Sequence, residues 1–425
     1  MATTAIAAIA AAECFSELSY NITKAISKKE KQDNGIYFTP PKTVIRCIDL
    51  LAAATGETFN NILEPSCGSC EFIEKIRVCY PDATITGVEY NKNIYENIKD
   101  IYNIYNNNAK IKIIEGDFLK TGFADVPKFD LIIGNPPYYV MKKVDVESDY
   151  YDYFDGRPNI FLLFIIKSLT LLTDDGILCF ILPKSFLNCL YYNKTRKYIY
   201  DNYSILYILE CDDNYIDTEQ PTIIFMIRKN AGVANTEYIL GHLTNEYTIF
   251  STSDTIKRLN ELYVGATTLN ALEFKVSVGN IVWNENKALL TDDPQKTRLI
   301  YSQDIKNNTL SIKNYTNTAK KNYINKKGGD EPLLVVNRGY GVGNYNFEYA
   351  LINCDEQEVI KEYLIENHLI CIRYEGTGNT ETDAGKYIKI YKSFGDERTL
   401  EFIKLYFGNN AINTTELLNI FPIYI

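Results

Sequence analysis

Between about residues 35 and 230 short apolar runs alternate with helical stretches, and this alternation constrains the fold more than any other feature of the chain. The runs are NILE (61–64), TITGVE (84–89), IKIIE (111–115), FDLIIG (129–134), GILCFIL (176–182), SILYILE (204–210) and PTIIFMI (221–227). Helical patterns at 43–54, 71–79, 92–105, 159–172 and 185–201 separate the first six. Near-continuous apolar strands joined by helical crossovers require a sheet covered on both faces, which is a doubly wound α/β architecture. Only a loop separates the last two runs, so the seven-stranded sheet should end in an antiparallel hairpin. The preceding KKEKQDNG reads as a solvated loop, and MATTAIAAIAAA as an Ala-rich helix rather than a signal peptide, since it lacks a basic start.

Open α/β sheets bind ligands at the carboxyl ends of their strands, so the loops there come first. The first reads Glu64-Pro65-Ser66-Cys67-Gly68-Ser69-Cys70. A Gly-containing turn from strand into helix lets a ligand approach backbone N–H groups. The second strand ends in Glu89, whose carboxylate suits two ribose hydroxyls. After the third comes Asp117-Phe118, an acceptor for an exocyclic amine beside a ring that can stack on a purine. In order, these loops describe a pocket for an adenosine-containing cofactor. Cys67 and Cys70 form a Cys-x-x-Cys, but with no second pair and no nearby histidine they read as small loop residues rather than a redox or metal site.

The fourth loop is Asn135-Pro136-Pro137-Tyr138, directly after FDLIIG. Two prolines stiffen it and lack N–H groups, leaving carbonyls as acceptors. Asn adds a side-chain acceptor and Tyr a flat stacking face. Such a set suits an amine on a planar π-system, a poor nucleophile because its lone pair is delocalised. Two acceptors on its N–H hydrogens favour a tetrahedral nitrogen able to attack a methyl sulfonium, without a strong base.

With these residues in place, the chain resembles the S-adenosylmethionine-dependent DNA adenine-N6 methyltransferases of the gamma motif order. The resemblance covers about residues 30 to 230. Gly35-Ile-Tyr-Phe-Thr39-Pro40-Pro41 is similar to the family's N-terminal motif, which closes over the methionine end of the cofactor. It implies cofactor-binding roles for Thr39, Glu64, Pro65, Ser66, Cys67, Gly68, Glu89, Asp117, Phe118 and, within Asn159-Ile-Phe-Leu-Leu-Phe164, for Phe164. It implies a catalytic role for Asn135, Pro136, Pro137 and Tyr138, and makes Tyr215 the second aromatic jaw around a flipped base. Cys70 departs from the family pattern, which commonly has a second Gly or another small residue there. S-adenosylmethionine is the expected cofactor, with no metal, and double-stranded DNA the expected partner. A separate cognate restriction endonuclease in the same genome would accompany a modification enzyme. The open alternatives are an enzyme of the same tetrapeptide acting on RNA or on a protein glutamine, and an inactive DNA-binding homologue.

Beyond about residue 245 the alternation stops. The catalytic domain is therefore expected at 1–245 and a smaller α+β domain, reading DNA sequence, at 246–425. Within 306–327 six lysines occur without an acid; Lys313, Lys320, Lys321, Lys326 and Lys327 are candidate phosphate contacts, as is Arg338 in a flexible NRGYG segment. The net charge of −10 argues against a wholly basic surface but not against a local one. Two histidines exclude a multi-histidine metal site, and ten scattered cysteines indicate reduced thiols. With no run approaching about 18 apolar residues, the expected protein is a cytoplasmic monomer with no membrane partner.

Overall fold

The computed structural model describes residues 14–56, 58–102, 105–106, 109–213, 215–229, 236–241, 246–311, 313, 315, 317, 319–338, 347–353, 360–375, 380–408 and 411–425. The Ala-rich start and His242 lie outside them. The chain divides into two compact units, Met1–Ile256 and Lys257–Ile425.

The first unit is built on one sheet whose strands are β1 (Asn61–Glu64), β2 (Thr84–Glu89), β3 (Tyr105–Asn106), β4 (Ala109–Glu115), β5 (Phe129–Gly134), β6 (Leu172–Pro183), β7 (Ser204–Glu210) and β8 (Thr222–Arg228). Their spatial order is β3-β4-β2-β1-β5-β6-β8-β7. The seven long strands match the seven apolar runs, and all but β8 run parallel. The hairpin is antiparallel as expected, but β8 is inserted between β6 and β7 rather than added at the edge. The eighth strand, β3, is a two-residue antiparallel edge where the periodicity predicted the end of a helix; that helix stops at Tyr102.

Alternation along each strand feeds two separate cores. Leu63, Ile132, Leu178, Phe180 and Phe225 pack on one face. Ile62, Leu131, Ile133, Cys179 and Met226 pack on the other. The helix Ile160–Leu171 is buried almost all round, which explains its lack of a polar stripe. The stretch expected as one helix over 185–201 instead makes two short 3₁₀ turns before a helix at Asn193–Asn202.

KKEKQDN is not a loop. It forms the helix Lys28–Asn34, with the Ser27 hydroxyl accepting from the Glu30 N–H (3.2 Å) and Gly35 ending it in the left-handed region at φ 63°. Apolar periodicity is missing because capping and one buried lysine, Lys31, hold the helix in place.

The second unit is α+β. An antiparallel sheet orders Tyr349–Ile352, Leu333–Asn337, Leu369–Tyr374 and Phe274–Val278, and a second four-stranded sheet orders Leu290–Thr291, Tyr323–Ile324, Thr297–Ile300 and Tyr363–Ile365. Helices at Thr380–Phe394, Glu397–Phe402 and Thr414–Asn419 follow. Among the described residues no helix is long and apolar enough to cross a membrane.

Candidate active site

Four successive strand-end loops and the segment after Gly35 wall a single cleft with about 1060 Å³ of space, open mouth included. Its walls include Thr39, Glu64, Pro65, Ser66, Cys67, Gly68, Glu89, Asp117, Phe118, Asn135, Pro137 and Phe164. Every cofactor-site residue named from the sequence therefore lines one cavity, because parallel strands deliver their following loops to the same edge. Pro136 and Tyr138 are not among the residues that line it, and Tyr215 lines a separate small pocket with Tyr37 and Asp217.

The first loop is bound tightly to its neighbours. The Cys67 N–H donates to the Val88 carbonyl (2.9 Å), and the Gly116 N–H to that of Glu89 (2.9 Å). Gly68 has φ 51°, and a side chain there would meet the Phe38 ring at 3.1 Å. Cys70, where the family it resembles commonly has a second Gly or another small residue, adopts φ 67° and ψ 28°. A left-handed residue with a Cβ costs about 1–2 kcal/mol, so this departure is carried as local backbone strain. Burial pushes the thiol pKa values of Cys67 and Cys70 up, so both are uncharged.

Glu89 accepts from the Gly68 N–H (2.8 Å) and the Asn91 N–H (2.7 Å). Burial nonetheless pushes its pKa up to about 7, against the pull of those donors. Glu64 is also buried, and burial followed by the nearby Glu89 charge holds its carboxyl well above the usual range. Glu64 Oε2 is enclosed without a hydrogen-bond partner. A buried oxygen of this kind is costly unless a donor reaches it. Asp117 accepts from the Leu119 N–H at 2.9 Å, and Phe118 packs against Phe164 with ring centroids 5.0 Å apart.

The tetrapeptide is held from three sides. Asn135 Nδ2 donates to the Tyr37 carbonyl (3.2 Å), and Ser66 Oγ donates to the Asn135 carbonyl (3.1 Å). The Tyr138 hydroxyl lies 2.5 Å from Asn135 Oδ1 and 2.7 Å from the Ile181 carbonyl. Its single proton serves one acceptor at a time. These bonds fix the Asn135 amide, leaving its orientation no choice. Gly35 explains the close approach: a Cβ there would lie 2.6 Å from the Tyr138 nitrogen. The Tyr138 ring meets Phe161 edge-on at 6.1 Å, and the Tyr215 hydroxyl lies 3.4 Å from Thr222 Oγ1. Burial raises the pKa of both tyrosines, so neither phenol serves as a base near neutrality.

Sequence reasoning missed several supports. Ser19 is buried, and its hydroxyl lies within hydrogen-bond reach of Ser69 Oγ (2.8 Å) and of the Glu71 carboxylate, its one proton serving one of them at a time, which ties the helix Glu17–Ala25 to the first loop. Glu30 accepts from Asn91 Nδ2 at 3.0 Å, and Lys31 pairs with Asp217 at 2.7 Å. Nothing in local sequence pattern signals such long-range polar contacts.

In the second unit the lysines divide. Lys320 Nζ sits 4.1 Å from the Tyr301 ring centre and 4.4 Å from that of Tyr315, and burial lowers its pKa. Lys321 pairs with Asp292 at 2.5 Å. The Lys313 N–H donates to Asp304 (3.2 Å), and the Arg338 N–H to the His368 carbonyl (3.2 Å); residues 339–341 lie outside the described set. Lys326 and Lys327 are exposed and line a cleft with Lys296, Arg298 and Lys361. Arg298 is itself buried, 3.7 Å from Asp304. Among the described residues the one acid on that cleft is Glu362, which already accepts from the Gly328 N–H (3.2 Å) and the Thr297 hydroxyl (3.4 Å).

Comparison with known proteins agrees with this geometry. The model of the Eco57I restriction-modification methylase family matches residues 49–216. The Type II methyltransferase M.CvrRI of Paramecium bursaria Chlorella virus XZ-6E is 29% identical over 409 residues, 94% of this chain and 96% of that protein. The modification methylase CviBIII of Paramecium bursaria Chlorella virus NC1A is 27% identical over 362 residues, covering 83% and 88%. The Type II methyltransferase M.AccI of Acinetobacter calcoaceticus is 23% identical over 222 residues, covering 50% and 40%. Along nearly its full length, then, the chain is similar to restriction–modification methylases.

Proposed function

We propose that this methyltransferase transfers a methyl group from S-adenosylmethionine to N6 of an adenine rotated out of duplex DNA. The observation that carries the reading is the tetrapeptide acceptor Asn135, which shares one cleft with the ribose-type acid Glu89 and the Asp117-Phe118 pair. The cofactor fits the donor set. Glu64 Oε2 is a buried acceptor lacking a donor, suited to an ammonium group, and Glu89 presents a carboxylate to vicinal hydroxyls. Asp117 would accept from an exocyclic amine, and Phe118 and Phe164 would border a purine ring. When bound, S-adenosylmethionine supplies an electrophilic methyl group on a sulfonium sulfur.

The chain's own residues handle the target base. Displacing it from the stack costs a few kcal/mol, and stacking against Tyr138 and Tyr215 would return about 1–3 kcal/mol per base. Asn135 Oδ1 and the Pro136 carbonyl would accept the two amine hydrogens, turning the N6 lone pair out of conjugation. For this, the Tyr138 hydroxyl would keep its proton and turn its hydrogen bond from Asn135 Oδ1 to the Ile181 carbonyl, already within 2.7 Å. No strong base is required, and the surplus proton leaves to water.

Duplex DNA would be met by the second unit through Lys326, Lys327, Lys296 and Lys361. Lys320 and Lys321, engaged within the protein, are set aside. The Type II methyltransferase names of the full-length relatives support the DNA assignment and a modification role beside a cognate endonuclease. The decisive test is methylation of a genome lacking adenine methylation, followed by modification-aware sequencing, with RNA and release-factor peptides as parallel substrates. N6-methyladenine at one DNA motif is expected; methylation of RNA or peptide alone would overturn the reading. Asn135→Ala should abolish turnover while cofactor binding survives, and equal loss of both would refute the role assigned to Asn135.

A further inference from the structure

Two adjacent residues of one short helix reach opposite sides of the site. From Lys28–Asn34, Glu30 accepts from Asn91 Nδ2 (3.0 Å), and Asn91 in turn donates its N–H to Glu89 (2.7 Å) on the cofactor side. Lys31, 8% exposed, pairs with Asp217 at 2.7 Å, two residues beyond Tyr215 in the β7–β8 loop. Residues just after this helix grip the same region: Thr43 Oγ1 donates to Asp213 of the loop at 2.7 Å, and Arg46 to the carbonyl of Glu210, the last residue of β7, at 3.0 Å.

We infer that the helix Lys28–Asn34 couples the cofactor loop to the Tyr215 loop, with Lys31 and Asp217 as the positioning residues that set this jaw. The inference rests on the methyltransferase reading above. Its physical basis is the helix's length. Seven residues fall well short of the ~12–15 at which an isolated helix becomes even marginal, so its order depends on its docking contacts. Glu30 and Lys31, neighbours on this helix, tie one cooperative unit to two different loops. A ligand that fixes Glu89 and Asn91 fixes the helix, and the jaw's contact with Lys31 then carries less of the ordering cost. By reciprocity, a base held against Tyr215 strengthens cofactor binding by the same factor. Past the helix end at Gly35 the chain runs on to Tyr37, whose carbonyl holds Asn135, so the coupling reaches that amide as well. Neither Lys31 nor Asp217 touches the proposed substrate; both act through the loop they join.

The test uses the full chain, S-adenosylhomocysteine as cofactor probe, and a duplex bearing the mapped site with 2-aminopurine at the target position. In the wild type the probe should tighten duplex binding by roughly 5–150-fold, the usual span of such couplings, and raise 2-aminopurine fluorescence. Lys31→Met should bring that factor to within about twofold of unity while probe affinity without DNA changes by less than about twofold, and Lys31→Arg should restore it. Asp217→Asn, altering the more exposed partner, should reproduce Lys31→Met and serves if that variant folds poorly. The inference is overturned if coupling persists in Lys31→Met and Asp217→Asn, or if probe affinity alone falls as far as the coupling does. A wild type that binds neither probe nor duplex refutes the methyltransferase reading itself, and this inference with it.

Discussion

Glu89 offers the sharpest handle on the site because its energetics run against the usual sense for a carboxylate. Its pKa rises from 4.5 to about 7 in the folded protein, driven by burial. Between those values the folded state therefore holds a proton that the unfolded chain has released, and stability falls as pH rises through this window. A shift of that size corresponds to about 3 kcal/mol, complete above pH ~7, at ~1.4 kcal/mol per unit. Glu64, displaced in the same direction, adds to the effect. The measurement is urea unfolding of the ligand-free protein at pH 5 and pH 8, for wild type and Glu89→Gln. Groups that Glu89 does not perturb cancel in the comparison, while Glu64, raised in part by the Glu89 charge, enlarges the difference. The wild type should lose about 3 kcal/mol relative to Glu89→Gln between the two pH values. Cofactor affinity should move the opposite way, tightening up to ~tenfold per unit as pH rises towards 7, because the ionised carboxylate is the better acceptor. If wild type and Glu89→Gln show parallel stability profiles, the carboxylate is ionised throughout and the argument from burial fails.

Three further outcomes follow from the same geometry. Gly35→Ala places a Cβ 2.6 Å from the Tyr138 nitrogen at φ 63°; unfolding should show a loss of about 1–3 kcal/mol, with turnover falling further than cofactor affinity. Tyr138→Ala should weaken capture of the displaced base by about 1–3 kcal/mol, read as 2-aminopurine fluorescence, whereas Tyr138→Phe keeps the ring and should hold most of it. Replacing Lys326 and Lys327 together by Ala should flatten the dependence of log K on log salt by about 0.9 for each phosphate no longer neutralised, whereas Lys320→Ala should leave that slope unchanged and lower the unfolding midpoint instead.

The strands were legible because each is a near-continuous apolar run, and a parallel sheet makes such runs obligatory. The cleft followed almost without further information: once Gly68, Glu89, Asp117 and Asn135 sit at the ends of parallel strands, topology brings them together. What stayed hidden depends on partners distant in sequence. Lys28–Asn34 looks like a charged loop because its order comes from Ser27, Gly35 and the contact with Asp217. Lys320 looks like one of six equivalent lysines because only the fold reveals the Tyr301 and Tyr315 rings around it. The short strands of the second unit carry too few residues each for period-two alternation to stand out from loops.

The insertion of β8 between β6 and β7 has a mechanical consequence. Every residue from Thr222 to Arg228 is in register with β6, and the strand pairs with β7 along its other side. A departing base that pulls on the Tyr215 loop along the strand direction would load both ladders in shear, with many hydrogen bonds sharing the force. An edge strand would have offered one ladder only. The jaw proposed at Tyr215 would thus be mounted on a doubly braced beam, stiff enough for the loop to yield while the sheet beneath it stays fixed.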